Sequence, residues 1–146
     1  AQASPVAGGE TIDNIESFKR VIAENLQKAK DLNSGSIIIP NISILFNFNS
    51  FFISSTNNEL LIEYAKTFLQ TNKEAIILVE GFACNMGSDS ANNWISEQRA
   101  KSVREELVVA GIHKNKIEVK WFGKSRFNEF KYSDKSEYRR VILSVK

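Results

Sequence analysis

An arginine on a helix face that should be buried is the first residue in this sequence equipped to do chemistry. Arg99 lies within the stretch GFACNMGSDSANNWISEQRAKSVR, residues 81–104. Wound at about 100° per residue from Ile95, the stretch puts Ala100, Val103, Leu107 and Ala110 in one stripe with Asn92, Ser96 and Arg99. The face that should meet the core is apolar toward its C-terminal end and polar near its start. A buried guanidinium is costly unless it is paired. Two arrangements satisfy it. Arg99 is a structural arginine bonded to backbone carbonyls or to a carboxylate of the same chain, or it stands in a pocket at the helix N-terminus and receives a carboxylate from outside. The preceding residues suit an anion site. The strand-like run from Ala75 to Glu80 enters a turn with the helix-start residues Gly87, Ser88 and Asp89, and a helix start presents unpaired N–H groups.

Other chemistry is sparse. Cys84 is the single cysteine, so no internal disulfide forms, and as a nucleophile it would need an activating partner. His113 is the single histidine and follows Gly111-Ile112 beside Lys114 and Lys116, with no serine or carboxylate motif attached. One His and one Cys far apart make no zinc site. No phosphate-binding loop or dinucleotide fingerprint is present. The expectation is a protein that is not an enzyme and holds no metal or cofactor.

The elements that must position Arg99 follow from periodicity. Residues 1–10 are small and contain Pro and Gly, which reads as a flexible lead. Ile12, Ile15, Phe18, Ile22, Leu26, Ala29 and Leu32 recur at helical spacing, which predicts an amphipathic helix capped by Thr11 and ended by Asn33-Ser34-Gly35. Ser36–Ile39 reads as a short strand, Pro40-Asn41 as a break, and Ile42–Phe48 as a further strand. Phe51, Phe52 and Ile53 read as core, with a groove for a glycan as the other possibility. Leu60, Leu61, Tyr64, Phe68 and Leu69 form the inner face of a helix capped at Thr56 or Asn57, with Asn72 near its end. Gly111 ends the helix that carries Arg99. Ile117, Val119 and Trp121 alternate with Glu118 and Lys120 as a half-buried strand. Residues 123–135 mix basic residues with Phe127, Phe130 and Tyr132. They read as a solvated loop rather than a nucleic-acid surface, and the last strand covers Tyr138–Val145. The result is an α/β two-layer sandwich, a mixed β-sheet with helices on one face, plus an N-terminal helix. The domain division is 1–34 for the lead and first helix, and 35–146 for the sandwich.

As a set, Gly81, Gly87-Ser88, Asn92, Ile95-Ser96, Arg99-Ala100, Val103, Leu107 and Gly111-Ile112 resemble the C-terminal domain of OmpA-like proteins. That family includes the peptidoglycan-associated lipoproteins and the flagellar stator B subunits. Ile42–Ser50 resembles its first core strand and Tyr138-Arg139-Arg140-Val141 its closing strand, so the likeness covers residues 35–146. The resemblance implies non-covalent binding of cell-wall peptidoglycan. In the family an aspartate after the second strand takes the ammonium of a diaminopimelate side chain, and an arginine on the following helix takes its carboxylate. Arg99 matches the arginine and Asn92 a supporting asparagine. The aspartate's usual Thr-Asp pair is Ala83-Cys84 here, and Asn47 stands where the first strand often carries an acid. A stem peptide with another diamino acid, such as ornithine, would change which charges the pocket needs. The implied ligand-binding set is Asn47, Ala83, Cys84, Asn85, Gly87, Asn92, Ile95 and Arg99, with Asp89 or Glu80 as compensating acids.

Composition is compatible and not decisive. The 146 residues carry 42% hydrophobic and 25% charged residues and a net charge of +2, which suggests no general affinity for nucleic acid. No apolar run approaches the roughly 20 residues of a spanning helix. The resemblance alone implies a periplasmic, outer-membrane-associated envelope protein, of structural or lipoprotein type, with peptidoglycan and other envelope proteins as partners. The alternative is a degenerate domain that has lost peptidoglycan and serves as a structural or protein-interaction module.

Overall fold

The computed structural model describes residues 11–72, 74–126 and 138–146. The lead, residues 1–10, and the loop aromatics Phe127, Phe130 and Tyr132 lie outside the described residues. The elements run α1 (Ile15–Asp31), β1 (Ile42–Leu45), α2 (Ser55–Thr71), β2 (Ile77–Gly81), α3 (Asp89–Val109), β3 (Ile117–Trp121) and β4 (Arg140–Val145), with a 3₁₀ turn at Lys114–Lys116 before β3. They form a mixed sheet of order β1-β4-β2-β3. In it β4 is antiparallel to β1 and β2, and β2 is parallel to β3. Alternate strand residues Ile42, Ile44, Ile77, Val79, Val141 and Leu143 join one core with Leu61, Phe68, Val103 and Leu107 of the helices. This is the α/β arrangement expected from the pattern. It places the start of α3 beside the end of β2, where the candidate residues converge.

The first helix differs at its start. Its N-cap is Asn14, whose Oδ1 accepts the Ser17 N–H at 2.8 Å. Thr11 instead donates its hydroxyl to Ser43 Oγ at 3.0 Å, and Ile12 bridges to Ile42. Backbone pairing with β1 outcompetes an early helix start. Phe18 is fully buried and meets the Tyr64 ring at 5.8 Å, so α1 packs into the common core. Asn33 has a left-handed φ of 54°, and Ser34 N–H reaches back to Ala29 O at 2.8 Å, which closes the helix as a six-to-one cap. Gly111, at φ 109°, performs the same role for α3 and swings buried Ile112 onto the core.

Other expectations fail for tertiary reasons. Ser36–Ile39 forms no strand, although Ile37 and Ile39 are buried. The α2 cap is Ser54, two residues before Thr56 and three before Asn57, and Leu69 is 40% exposed. Trp121 sits at the exposed end of edge strand β3, beneath the ammonium of Lys101. Phe51 and Phe52 are not core: they are 42% and 79% exposed.

Gly81 is where sheet and helix come closest. A Cβ there would lie 2.3 Å from the backbone oxygen of Ser96. Backbone cannot move aside as a flexible side chain can, so Gly81→Ala must push α3 off β2. We expect a loss of about 1–3 kcal/mol, read as a lower denaturant midpoint. An unchanged midpoint would show that the helix moves freely on the sheet.

Candidate functional site

One wall of the site is the turn after β1. Phe46 and Arg139 hold each other. The Phe46 N–H donates to the Arg139 carbonyl at 2.8 Å, and Arg139 Nε donates to the Phe46 carbonyl at 3.2 Å. Asn49 then takes a left-handed φ of 56°, which asparagine tolerates better than most residues. The turn closes with Ser50 N–H on the Asn47 carbonyl at 3.1 Å. It leaves two carbonyls aimed at α3, and Arg99 takes both. Its Nε donates to Ser50 O at 2.8 Å and Nη2 to Asn47 O at 3.1 Å, while its guanidinium carbon lies 5.5 Å from the centre of the Phe46 ring.

The other wall is the segment from β2 into α3. Phe82 and Ala83 are pinned by their N–H groups to the carbonyls of Arg140 at 2.9 Å and Gly123 at 2.7 Å. Ser88 caps α3 by accepting the Ala91 N–H at 3.2 Å. Asn92 ties the helix to the preceding turn, donating Nδ2–H to the Met86 carbonyl at 2.8 Å. Ser96 accepts the Gly123 N–H at 2.9 Å and donates to the Asn93 carbonyl at 3.0 Å, so this buried hydroxyl is structural. Lys124 bonds the Gly87 carbonyl at 3.2 Å and pairs with Asp89 at 3.1 Å.

Between the walls is a cavity of about 120 Å³, lined among others by Phe48, Cys84, Gly87, Asn92, Arg99 and Arg139. That volume has room for a carboxylate. Arg99 is only 1% exposed. Burial, then the neighbouring Arg139, push its pKa down to about 10, so it remains cationic at neutral pH. Among the described residues, no carboxylate pairs with Arg99 or Arg139, and Nη1 of Arg99 has no hydrogen-bond partner. The carbonyls and the Phe46 ring supply partial negative charge but do not neutralise two guanidinium groups. Such a lining can accept an anion. Among the described residues no group of three or more His, Cys, Asp or Glu could hold a metal ion. No described helix is long and apolar enough to cross a membrane.

Of the sequence-predicted residues, Ala83, Cys84, Gly87, Asn92, Ile95 and Arg99 line the cavity. Asn47 contributes its backbone carbonyl, and Asn85 is exposed outside the lining. The compensating acids are not there. Asp89 is engaged by Lys124, and Glu80 is buried within β2, away from the lining. His113 accepts the Asn115 N–H through Nδ1 and caps the 3₁₀ turn. Arg139 is the residue that sequence reasoning missed. The Tyr138-Arg139-Arg140-Val141 run gave its type, but only the pairing of Phe46 with Arg139 carries it to the cavity. Cys84 also packs with Phe82, Tyr138 and Ile142.

Comparison with known proteins agrees with this architecture. The model of the OmpA family matches residues 45–140. Outer membrane protein A of Citrobacter freundii is 34% identical over 83 residues, 56% of this chain and 35% of that protein. Its counterpart in Salmonella typhi is 34% identical over 83 residues, 56% of this chain and 24% of that protein. The matched region thus spans about a third or less of these relatives. The peptidoglycan-associated lipoprotein from Burkholderia pseudomallei superposes with a TM-score of 0.62 at 24% identity, over 71% of this chain and 89% of that one. The C-terminal domain of Helicobacter pylori MotB gives 0.64 at 19%, over 71% and 83%. An outer membrane protein from Borrelia burgdorferi gives 0.56 at 26%, over 72% and 85%.

Proposed function

This chain belongs to the OmpA family, and from that premise we propose that it is a non-catalytic cell-envelope domain that binds peptidoglycan. A carboxylate of the stem peptide enters the cavity at the start of α3 and is held by Arg99, with Arg139 as the second cation. The domain faces the periplasm and ties an envelope component to the cell wall. The observation that carries this reading is a buried guanidinium with a spare Nη beside a second arginine, unneutralised by any described carboxylate and open to a carboxylate-sized cavity. A relative of the same fold is named for its association with peptidoglycan.

The chemistry follows from the charges. A carboxylate taking the free Nη of Arg99 makes a charge-assisted hydrogen bond of about 1.5–3 kcal/mol. It also screens Arg99 from Arg139. Binding an anion raises the pKa of Arg99, so affinity is full where the guanidinium is charged and falls as pH rises past its unliganded value of about 10. At the acid end, affinity falls as the ligand carboxyl protonates near about pH 3.5. Co-sedimentation with purified cell wall tests this. We expect retention that is level from pH 6 to 9, falls progressively above pH 10 and is competed away by soluble stem peptide. Retention that ignores both pH and competitor would contradict it.

One observation favours a second reading. Two donors of Arg99 already bind backbone carbonyls, which is a structural duty by itself. On that reading the domain is a structural or protein-interaction module, and the cell wall does not retain it under any of these conditions.

A further inference from the structure

Beside the cavity runs a second, wider depression of about 500 Å³, walled by Phe51, Phe52 and Ile53 on one side and by Ser102, Glu105 and Glu106 of α3 on the other. Phe51 meets the Trp94 ring edge-on at 5.8 Å, and Trp94 is itself 53% exposed. Three large aromatic rings held in solvent are unusual for a face that binds nothing. Asn49 lines both the groove and the Arg99 cavity, so the two adjoin.

We propose that this groove is a saccharide subsite, which receives the glycan attached to the peptide whose carboxylate sits at Arg99. The inference rests on the peptidoglycan reading and extends it. The chemistry of the walls selects the occupant. Aromatic faces suit the apolar C–H faces of pyranose rings, while Glu105, Glu106 and Ser102 accept hydrogen bonds from sugar hydroxyls. Glu105 is paired with Arg104 at 3.3 Å, so Glu106 is the carboxylate that gives this wall its negative charge. It repels a nucleic acid or an anionic lipid headgroup, and a neutral polyhydroxylated chain meets no such penalty. Phe52 is mostly in solvent and Phe51 rests on Trp94, so the aromatic ledge is substitutable without opening the core.

The test compares three probes on the whole domain: the stem peptide, the same peptide carried on its N-acetylglucosamine–N-acetylmuramic acid disaccharide, and chitotriose alone. The disaccharide is expected to tighten binding about tenfold. Its addition and chitotriose should both shift the indole N–H resonance of Trp94. The double variant Phe52→Ala, Trp94→Ala should lose that tenfold gain and keep the affinity for bare peptide. Equal affinity for both peptide probes, with no chitotriose shift, overturns the subsite and leaves the carboxylate site standing. Chitotriose shifts without peptide binding support the subsite and sink the Arg99 reading. An indole shift with phosphatidylcholine vesicles and none with sugar would assign the ledge to a lipid surface and overturn the proposal.

Discussion

Replacing Arg99 with alanine should abolish retention of this domain by purified cell wall and destabilise the domain as well. Both effects come from one side chain. On the proposed function it is the cation that meets the ligand, and it also ties the turn after β1 to α3 through the carbonyls of Asn47 and Ser50. Truncating a large, fully buried side chain costs about 2–5 kcal/mol, and here the Ser50 carbonyl loses its donor and the Asn47 carbonyl one of two. Against a total stability of about 5–15 kcal/mol, the variant remains folded only if the wild type is well above the floor. Arg99→Lys separates the two roles. Lysine keeps the charge but has one ammonium in place of the guanidinium fork, so it cannot hold both carbonyls and the ligand in the same geometry. We expect a folded Arg99→Lys variant with a modestly lower unfolding midpoint and at least a tenfold loss of retention. Arg139→Met should weaken retention less, because Arg139 is a second cation rather than the primary contact. Full retention by folded Arg99→Lys and Arg139→Met would remove the cavity from the account.

Cys84→Asp should change which ligand the cavity prefers. Cys84 lines the cavity and is close enough to act electrostatically on Arg99. An aspartate there would pair with Arg99, and its pKa would fall below the usual value near 3.9. Stability from this pair would be present above that value and lost as pH falls through the lowered one. For a ligand offering only a carboxylate, the new internal acid is a competitor, and affinity should fall about tenfold or more. For a ligand with an ammonium beside its carboxylate, the aspartate supplies a new charge-assisted bond of about 1.5–3 kcal/mol, roughly tenfold or more in affinity. Calorimetry with a pair of stem peptides, one with a free diamino-acid amine and one with that amine acetylated, should show the ranking invert between wild type and variant. The same ranking in both proteins would contradict the assignment of charges in the cavity.

The sequence made the positions along α3 legible because a helix converts spacing directly into faces. The stripe from Asn92 to Leu107 is buried as the periodicity requires, and the strand–turn–helix passage around Gly81–Ser88 lies where the apolar run and the cap residues put it. Gly111 and Asn33 worked as stop signals because their left-handed conformation is a local property. What could not be read was whatever depended on distant chain. Arg139 lies 40 residues beyond Arg99 in sequence and reaches the cavity only because β4 inserts between β1 and β2. Thr11 is good helix-cap chemistry, yet it pairs with Ser43 across the sheet. Phe51 and Phe52 look like core by composition, and only the path of the turn after β1 leaves them in solvent. The choice between a structural and a receptive Arg99 was also beyond the pattern. The folded chain shows the structural duty, with two donors on carbonyls, and leaves the remaining Nη beside the cavity, where the receptive duty is the one proposed.

The most direct test of that receptive duty is a nitrogen-resolved NMR titration of the wild-type domain with soluble stem peptide, following the backbone amides and the Arg99 Nε–H together. Saturable shifts confined to residues 83–99, the turn at 46–50 and Arg139 are the expected result. A spectrum unchanged at millimolar peptide, or shifts scattered away from α3, would contradict the account.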